Sequence, residues 1–215
     1  MPAIDLLEIP LEEAEFSVLD FETTGTAKYS RAIEIGLVRV NRLKIVDTFQ
    51  SFLNPEVPIP YFITELTGIT DLDVMNAPIF QDIIPEINEF ISGSVLAAHN
   101  LPFDYSFLKR EYDYAFHELP ANESICTLKL SRKLFPDLPS KSLGSMVSHL
   151  RIHHKNVHRA LGDATVTAKI LIKMINILKE EHHIETLGEL IKFQSPGNQY
   201  KFKITKKKLA DDFIS

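Results

Sequence analysis

Two carboxylates two residues apart are the first candidates for chemistry in this chain. Asp20 and Glu22 stand in the stretch SVLDFETTGT, residues 17–26, where the apolar residues around them are typical of a buried strand. Because side chains alternate between the two faces of an extended segment, both carboxylates point the same way, about 6–7 Å apart along the strand. Like charges this close repel each other. The pair therefore indicates a cation between them, a proton on one of them, or an exposed strand end where water solvates both.

Two further acidic residues occupy positions of the same kind. Asp104 follows an apolar run within AHNLPFDYSFL, and Asp163 lies in HRALGDAT, near the start of the longest predicted helix. Taken singly, each is explained by the favourable interaction of an acidic side chain with a helix N-terminus. Taken together, four carboxylates at strand ends and helix starts can converge at one end of a sheet, where α/β folds place their sites. Such oxygen ligands select Mg²⁺ or Mn²⁺ over zinc, and two such ions stabilise the attacking and leaving oxygens in phosphoryl transfer.

His158, five residues before Asp163, is the candidate proton acceptor. We expect the longest helix to begin near Ala160, which places His158 on the preceding loop, close to Asp163. A free imidazole there can take a proton from an attacking water near neutral pH. The alternative is a surface loop histidine, since the chain holds other histidines nearby, including His153 and His154.

Composition and charge are those of an ordinary globular protein. With 215 residues, 45% of them hydrophobic and 24% charged, the chain suits one domain with a substantial core. The net charge of −6 argues against indiscriminate nucleic-acid binding, for which a basic excess is expected. The single cysteine, Cys126, fits a reducing compartment. Because the N-terminus is acidic and no apolar run approaches the roughly 20 residues of a membrane span, we expect a soluble, cytoplasmic protein without a membrane partner.

The elements that must position these residues are three strands, followed by further strands that alternate with helices. Segments 15–22, 31–41 and 44–55 are rich in β-branched residues and predict an antiparallel meander. SVLAAH predicts a buried fourth strand and SICTL a fifth, and Thr70 is a candidate N-cap. The predicted helices lie near residues 79–92, 103–116, 128–134, 142–150 and 160–181. This order predicts an α/β fold, a mixed sheet flanked by helices.

The C-terminal segment differs from the rest in composition. We expect one domain over residues 1–192 and a basic extension over 193–215, which holds Lys201, Lys203 and the run Lys206 to Lys208. Either the extension is a solvated tail, or its lysines contact phosphates.

The quoted motifs resemble those of a known family. DFETTG, AHNLPFD and HRALGDA, in this order and with these separations, resemble the three exonuclease motifs of the DEDDh family, the DnaQ-like group of 3′–5′ exonucleases. That group includes proofreading subunits and domains of bacterial replicative polymerases, and TELTGIT at 64–70 resembles a further stretch of its proofreading members. The resemblance runs from about Phe16 to Leu178 and implies a ribonuclease H-like fold with a mixed five-stranded sheet.

The resemblance also implies roles for individual residues. It implies that His158 is the general base and that two Mg²⁺ ions, replaceable by Mn²⁺, are held by Asp20, Glu22, Asp104 and Asp163. Thr23 would contact the terminal nucleotide, Leu66 and Thr67 its base and sugar, and His99 and Asn100 would shape a motif loop. The implied reaction releases nucleoside 5′-monophosphates from single-stranded or frayed 3′ ends of DNA, as a proofreading subunit does beside a polymerase.

Two other functions remain as alternatives. One is an RNA-trimming enzyme or oligonucleotide phosphodiesterase of the same family, which differs in substrate only. The other is a catalytically silent domain that binds nucleic acid or serves in assembly. The four acidic residues and His158, all present, favour an enzyme over a silent domain.

Overall fold

A five-stranded sheet carries the strand on which Asp20 and Glu22 lie. The computed structural model describes residues 6–154 and 158–195. The strands are β1 (Phe16–Thr23), β2 (Ala32–Asn41), β3 (Lys44–Phe52), β4 (Val95–Ala98) and β5 (Ser124–Cys126). Their order across the sheet is β3-β2-β1-β4-β5, with antiparallel pairing from β3 to β1 and parallel pairing from β1 to β5. The predicted meander and the mixed five-stranded sheet are confirmed.

Helices cover both faces of this sheet. They are α1 (Tyr61–Thr67), α2 (Asp71–Val74), α3 (Ile84–Ile91), α4 (Leu101–Tyr114), α5 (Thr127–Leu134), α6 (Leu143–His149), α7 (Ala160–His182) and α8 (Leu187–Gln194). One core cluster packs Val18 and Val38 of the sheet against α5 to α8, and a second packs Leu19 and Leu37 against α3 and α4. Among the helices in the described parts of the chain, none has the length and apolar character needed to cross a membrane.

Helix α7 lies directly on β1 and β2. Its buried residues include Ala164, Ala168 and Leu171, spaced three or four apart so that they form one face. A Cβ atom at Gly36 of β2 would lie 2.4 Å from the Ala160 carbonyl carbon, so a glycine is needed for the helix to approach this closely. This approach determines where the first turn of α7 lies relative to β1.

Three elements differ from the sequence-based prediction. The single helix predicted over 79–92 is a 3₁₀ turn, Phe80–Ile83, followed by α3, which has Pro85 in its first turn. Helices α1 and α8 were not predicted at all. Helix α1 follows Pro60 and ends at Gly68, whose φ of 74° is the left-handed conformation that glycine adopts at helix ends. Helix α8 begins with a capping box between Thr186 and Glu189.

Two other predictions concern the N-cap at Thr70 and the basic C-terminal extension. Thr70 is the N-cap of α2, as predicted, in a capping box with Asp73. The described chain ends at Ser195, so the predicted basic extension falls almost wholly outside the described residues.

Candidate active site

Three of the four predicted acidic residues form a compact cluster. One carboxylate oxygen from each of Asp20, Glu22 and Asp163 lies within 4.8 Å of the others. In the β1–β2 register, Asp20 is opposite Gly36 and Glu22 is opposite Glu34, on the face of the sheet that the start of α7 covers. Asp163, in the first turn of α7, therefore meets the two β1 carboxylates.

Asp104 is held against β1 near the end of β4, which is the neighbour of β1 on the side away from β2. Strand β4 pairs with β1 only as far as Val18, and α4 begins just after β4. In the first turn of α4, Oδ1 of Asp104 accepts a hydrogen bond from the backbone N–H of Phe21, at 3.2 Å. Asp104 is buried, and its charge raises the pKa of Asp20. The fourth acidic side chain is thus fixed next to the strand that carries the first two.

Burial raises the pKa values of all four carboxyl groups, and repulsion between carboxylates adds to this effect at Asp20, Glu22 and Asp104. Burial raises the pKa of Asp20 well above its ordinary value, and the charges of Asp104, Asp163 and Glu22 raise it further. Burial, with Asp163 and Glu34 adding to it, raises the pKa of Glu22 to about 7. Burial is also the main reason why the pKa values of Asp104 and Asp163 are raised. Without a cation, the cluster therefore holds protons that ordinary carboxyl groups would lose.

The histidines near α7 are not arranged as the sequence alone suggested. Nε2 of His154 lies 2.7 Å from Oδ1 of Asp163, whereas the His158 side chain is exposed on the turn before α7, where its φ is 59°. The charges of both histidines lower the pKa of Asp163, that of His154 more strongly. Sequence reasoning gave His154 no contact with Asp163, and the role predicted for His158 stays a prediction.

The three residues predicted to contact a nucleotide lie near the end of β1 and on α1. The Thr23 hydroxyl donates a hydrogen bond to the Gly25 carbonyl oxygen, at 2.8 Å. The Thr67 hydroxyl donates to the carbonyl of Ile63, and Leu66 is 53% exposed. The two hydroxyls thus hold local turns, and Leu66 presents an apolar surface to solvent. Their predicted contacts with substrate stay predictions.

His99 and Asn100 join the loop before α4 to neighbouring elements. Nε2 of His99 donates to the Lys141 carbonyl oxygen at 2.8 Å, and Nδ1 lies 2.9 Å from the Thr127 hydroxyl. Burial lowers the pKa of His99, which favours the neutral ring. Asn100 has a φ of 73° at the N-cap of α4. These contacts suit the loop-shaping role predicted for the two residues.

Sequence reasoning missed Glu34 and Arg159. Glu34 is fully buried in β2, opposite Glu22, and it pairs with Arg159 at the start of α7. A signal was present, because Glu34 interrupts the apolar run AIEIGLV of a buried strand. An acidic residue facing a core needs a partner.

The donor set fits a divalent cation. All the cluster's side-chain donors are carboxylate oxygens, the ligands that hard cations prefer. Oδ1 of Asp163 is buried and faces Nε2 of His154 at 2.7 Å, with no hydrogen bond of good geometry to it among the described residues. A buried carboxylate oxygen of this kind, in a cluster of raised pKa, is suited to binding a cation.

Sequence comparisons find relatives of this chain. Residues 17–171 match the Exonuclease family, RNase_T. The chain is 43% identical over 169 residues to the PolC-type DNA polymerase III of Caldanaerobacter subterraneus, covering 78% of this chain and 12% of that protein. It is 37% identical over 193 residues to the PolC-type DNA polymerase III of Bacillus subtilis, covering 89% of this chain and 13% of that protein. The chain thus spans about an eighth of the length of these relatives.

Solved structures share the fold. Exonuclease X in complex with 5′ overhanging duplex DNA superimposes with a TM-score of 0.67 at 25% identity, covering 84% of this chain and 99% of that one. The nuclease domain of 3′hExo, a DEDDh family member bound to rAMP, gives a TM-score of 0.67 at 22% identity, covering 78% and 94%, and shows the fold alone.

The match covers most of the chain, and the relatives exceed 30% identity, so this chain belongs to the Exonuclease family. The predicted family is confirmed, and with it the enzyme class, an exonuclease.

Proposed function

We propose that this domain removes nucleotides from single-stranded or frayed 3′ ends of DNA as nucleoside 5′-monophosphates. The observation that carries the proposal is the convergence of Asp20, Glu22 and Asp163 within 4.8 Å, with Asp104 fixed beside them. Clustered acidic side chains whose pKa values are raised are typical of functional sites. Membership of an exonuclease family narrows the chemistry to phosphodiester hydrolysis.

The four carboxylates would hold two Mg²⁺ ions, for which Mn²⁺ can substitute. When bound, such ions supply Lewis-acid stabilisation of the charge that develops on the phosphoryl oxygens. The chain's own contribution is to hold the four acidic side chains on three rigid elements, β1, α4 and α7. In this proposal His158 accepts the proton of the attacking water.

The names of the relatives favour DNA over RNA as the substrate. The polymerases that this chain resembles are DNA polymerases, and the solved Exonuclease X is bound to DNA. The same relatives support a proofreading role beside a polymerase. The 3′hExo structure bound to rAMP keeps RNA trimming as the second candidate.

One assay tests the proposal. The purified protein is incubated with 3′-end-labelled single-stranded DNA, with RNA of the same sequence, and with duplexes whose 3′ end is paired or mispaired. We expect Mg²⁺- or Mn²⁺-dependent release of 5′-monophosphates, faster from DNA and from the mispaired end, and no release in chelator. The Asp104→Asn variant, which keeps an oxygen acceptor for the Phe21 N–H, is the inactive control. Hydrolysis in chelator, or equal hydrolysis by the control, would contradict the proposal.

A further inference from the structure

We propose that Glu34 is a positioning residue, which fixes the start of α7 and therefore the place of Asp163 relative to the β1 carboxylates. The inference rests on the proposed function in one respect, namely that Asp163 takes part in metal binding. Glu34 is not one of the four acidic residues of the family motifs, and it is distinct from the motif histidine.

Glu34 binds the start of α7 through both a side chain and the backbone. Its carboxylate accepts hydrogen bonds from Nε of Arg159, at 3.1 and 3.2 Å, and from Nη2 of Arg159, at 2.7 Å. It also accepts the backbone N–H of Ala160, at 3.0 Å, and Nε2 of Gln50 on β3, at 2.6 Å. One fully buried carboxylate thus binds the residue before the helix, the first residue of the helix and the neighbouring strand.

These bonds occur where α7 lacks a cap of its own. Arg159 is the N-cap residue, and its side chain does not cap the helix. The Ala160 N–H is one of the backbone donors that a helix leaves without an internal partner, and Glu34 satisfies it from the sheet. The Asp163 N–H bonds to the Arg159 carbonyl oxygen at 3.0 Å in the first turn. A shift of Arg159 therefore moves Asp163 directly.

Stability alone is a weak explanation for a glutamate at this position. Glu34 is opposite Glu22, and its charge raises the pKa of both Asp20 and Glu22, so it adds to the repulsion within the cluster. Arg159 offsets part of this, because its charge lowers the pKa of Glu22. Buried ion pairs are often no more stabilising than well-packed apolar residues. The multiple bonds from one carboxylate do provide a fixed orientation for the helix start.

Another ion pair between a glutamate and an arginine supplies a control. Glu15 pairs with Arg39 and accepts a hydrogen bond from Asn41 Nδ2, at 3.0 Å. This network lies at the opposite end of the β1–β2 pair, where Phe16 is opposite Val40. Glu15→Gln weakens a more exposed glutamate–arginine network at that end of the sheet.

The experiment compares Glu34→Gln with Glu15→Gln and the wild type, all measured well below each protein's Tm. The readouts are kcat and KM for single-stranded DNA and, independently of turnover, the Kd for Mn²⁺ from electron paramagnetic resonance. Loss of a residue that orients a ligand typically costs about 10–100-fold. We expect Glu34→Gln to lower kcat by at least about tenfold with little change in KM, and to weaken Mn²⁺ binding by a similar factor. Glu15→Gln is expected to change neither by more than about twofold, even where its loss of Tm is equal.

The outcomes separate this inference from the proposed function. If the wild type hydrolyses DNA and Glu34→Gln keeps its kcat and Mn²⁺ affinity, Glu34 is not a positioning residue. If the wild type hydrolyses no nucleic acid, the proposed function fails, and Mn²⁺ affinity alone decides the role of Glu34. Should Glu34→Gln fail to fold, Arg159→Lys serves instead, because it keeps the positive charge and cannot form the bidentate hydrogen bonds. Wild-type kcat and Mn²⁺ affinity in Arg159→Lys would also overturn the inference.

Discussion

Asp163 has two histidine neighbours, and the chain holds them in different ways. His154 is nine-tenths buried at the carboxylate, 2.7 Å away, whereas the His158 side chain faces solvent one residue before Arg159. A group that takes a proton from a water attacking the substrate must reach that water. The His158 imidazole is open to solvent, whereas that of His154 is buried against Asp163.

This difference predicts distinct effects for two substitutions. His158→Asn is expected to lower kcat by about 10²–10⁴-fold and to leave KM and Mn²⁺ affinity nearly unchanged, because only proton transfer is lost. His154→Asn is expected to weaken Mn²⁺ binding while keeping proton transfer. Steady-state kinetics and Mn²⁺ titration on both variants measure this. The reverse pattern, with kcat lost only in His154→Asn, would make His154 the base.

The raised pKa of Glu22 predicts that the stability of the metal-free protein depends on pH. Its pKa is about 7 in the folded chain against an ordinary 4.5, so between these values the folded state binds more protons than the unfolded state. Stability therefore falls as pH rises through this window. We expect the Tm in chelator to decrease from pH 5 to pH 8, and to decrease less in Glu22→Gln. Thermal melts of both proteins across that range measure the difference.

Adding Mn²⁺ supplies the check on this prediction. Because the ion binds deprotonated carboxylates, it should raise the wild-type Tm more at pH 8 than at pH 5. A wild-type Tm that follows the same pH course as Glu22→Gln would show that the Glu22 pKa is not raised. The difference between the two proteins also removes the contribution of His99, whose lowered pKa acts in the opposite direction.

At the level of elements, the site depends on how closely α7 approaches β2. A Cβ at Gly36 would lie 2.4 Å from Ala160 and Leu161 backbone atoms, which cannot move without moving the helix. Gly36→Ala is therefore expected to displace the first turn of α7, lower kcat by at least about tenfold and reduce stability by about 1–3 kcal/mol. Denaturant unfolding and single-stranded DNA hydrolysis measure the two effects.

Gly188→Ala is the matched control for Gly36→Ala. A Cβ there would lie 2.9 Å from the Leu7 carbonyl oxygen, so this glycine is also crowded by backbone, but on α8. We expect lower stability with kcat retained when measured well below the Tm. Equal loss of kcat in both variants would mean that activity follows stability alone.

Sequence patterns predicted the elements whose signals are local. β-branched stretches predicted the three strands of the meander, and the short segments SVLAAH and SICTL predicted β4 and β5. The acidic motifs contain Asp20, Glu22 and Asp163, whose carboxylates lie together in the structure. Helix α1 was missed because it has only seven residues between Pro60 and Gly68, too few for a periodic pattern. The bonds between Glu34 and Arg159 join residues 125 positions apart, and no local pattern reports such a contact. The contact of His154 with Asp163 likewise depends on the path of the loop before α7.

At the scale of the whole molecule, charge is distributed unevenly along the chain. The last 20 residues hold five lysines and two aspartates, so the first 195 residues carry a formal charge of −9 and the whole chain one of −6. A negatively charged domain that hydrolyses nucleic acid must attract the strand locally. Cations held by the carboxylate cluster would supply part of that attraction, and the lysines after Ser195 are a second candidate source.

Truncation after Ser195 tests whether those lysines bind the phosphates of the strand. Each phosphate that a protein neutralises on a single strand contributes about −0.7 to the slope of log K against log salt concentration. We expect the truncated chain to bind a long single strand more weakly and with a flatter slope, by about 0.7 for each phosphate that the lysines neutralise in the full chain. Its kcat on a dinucleotide, which ends within the site, should match that of the full chain. Substituting Lys206, Lys207 and Lys208 by glutamine in the full chain is the control for loss of length. An unchanged slope in both variants would show that these lysines are solvated and that the domain holds its substrate through the carboxylate site and its surroundings alone.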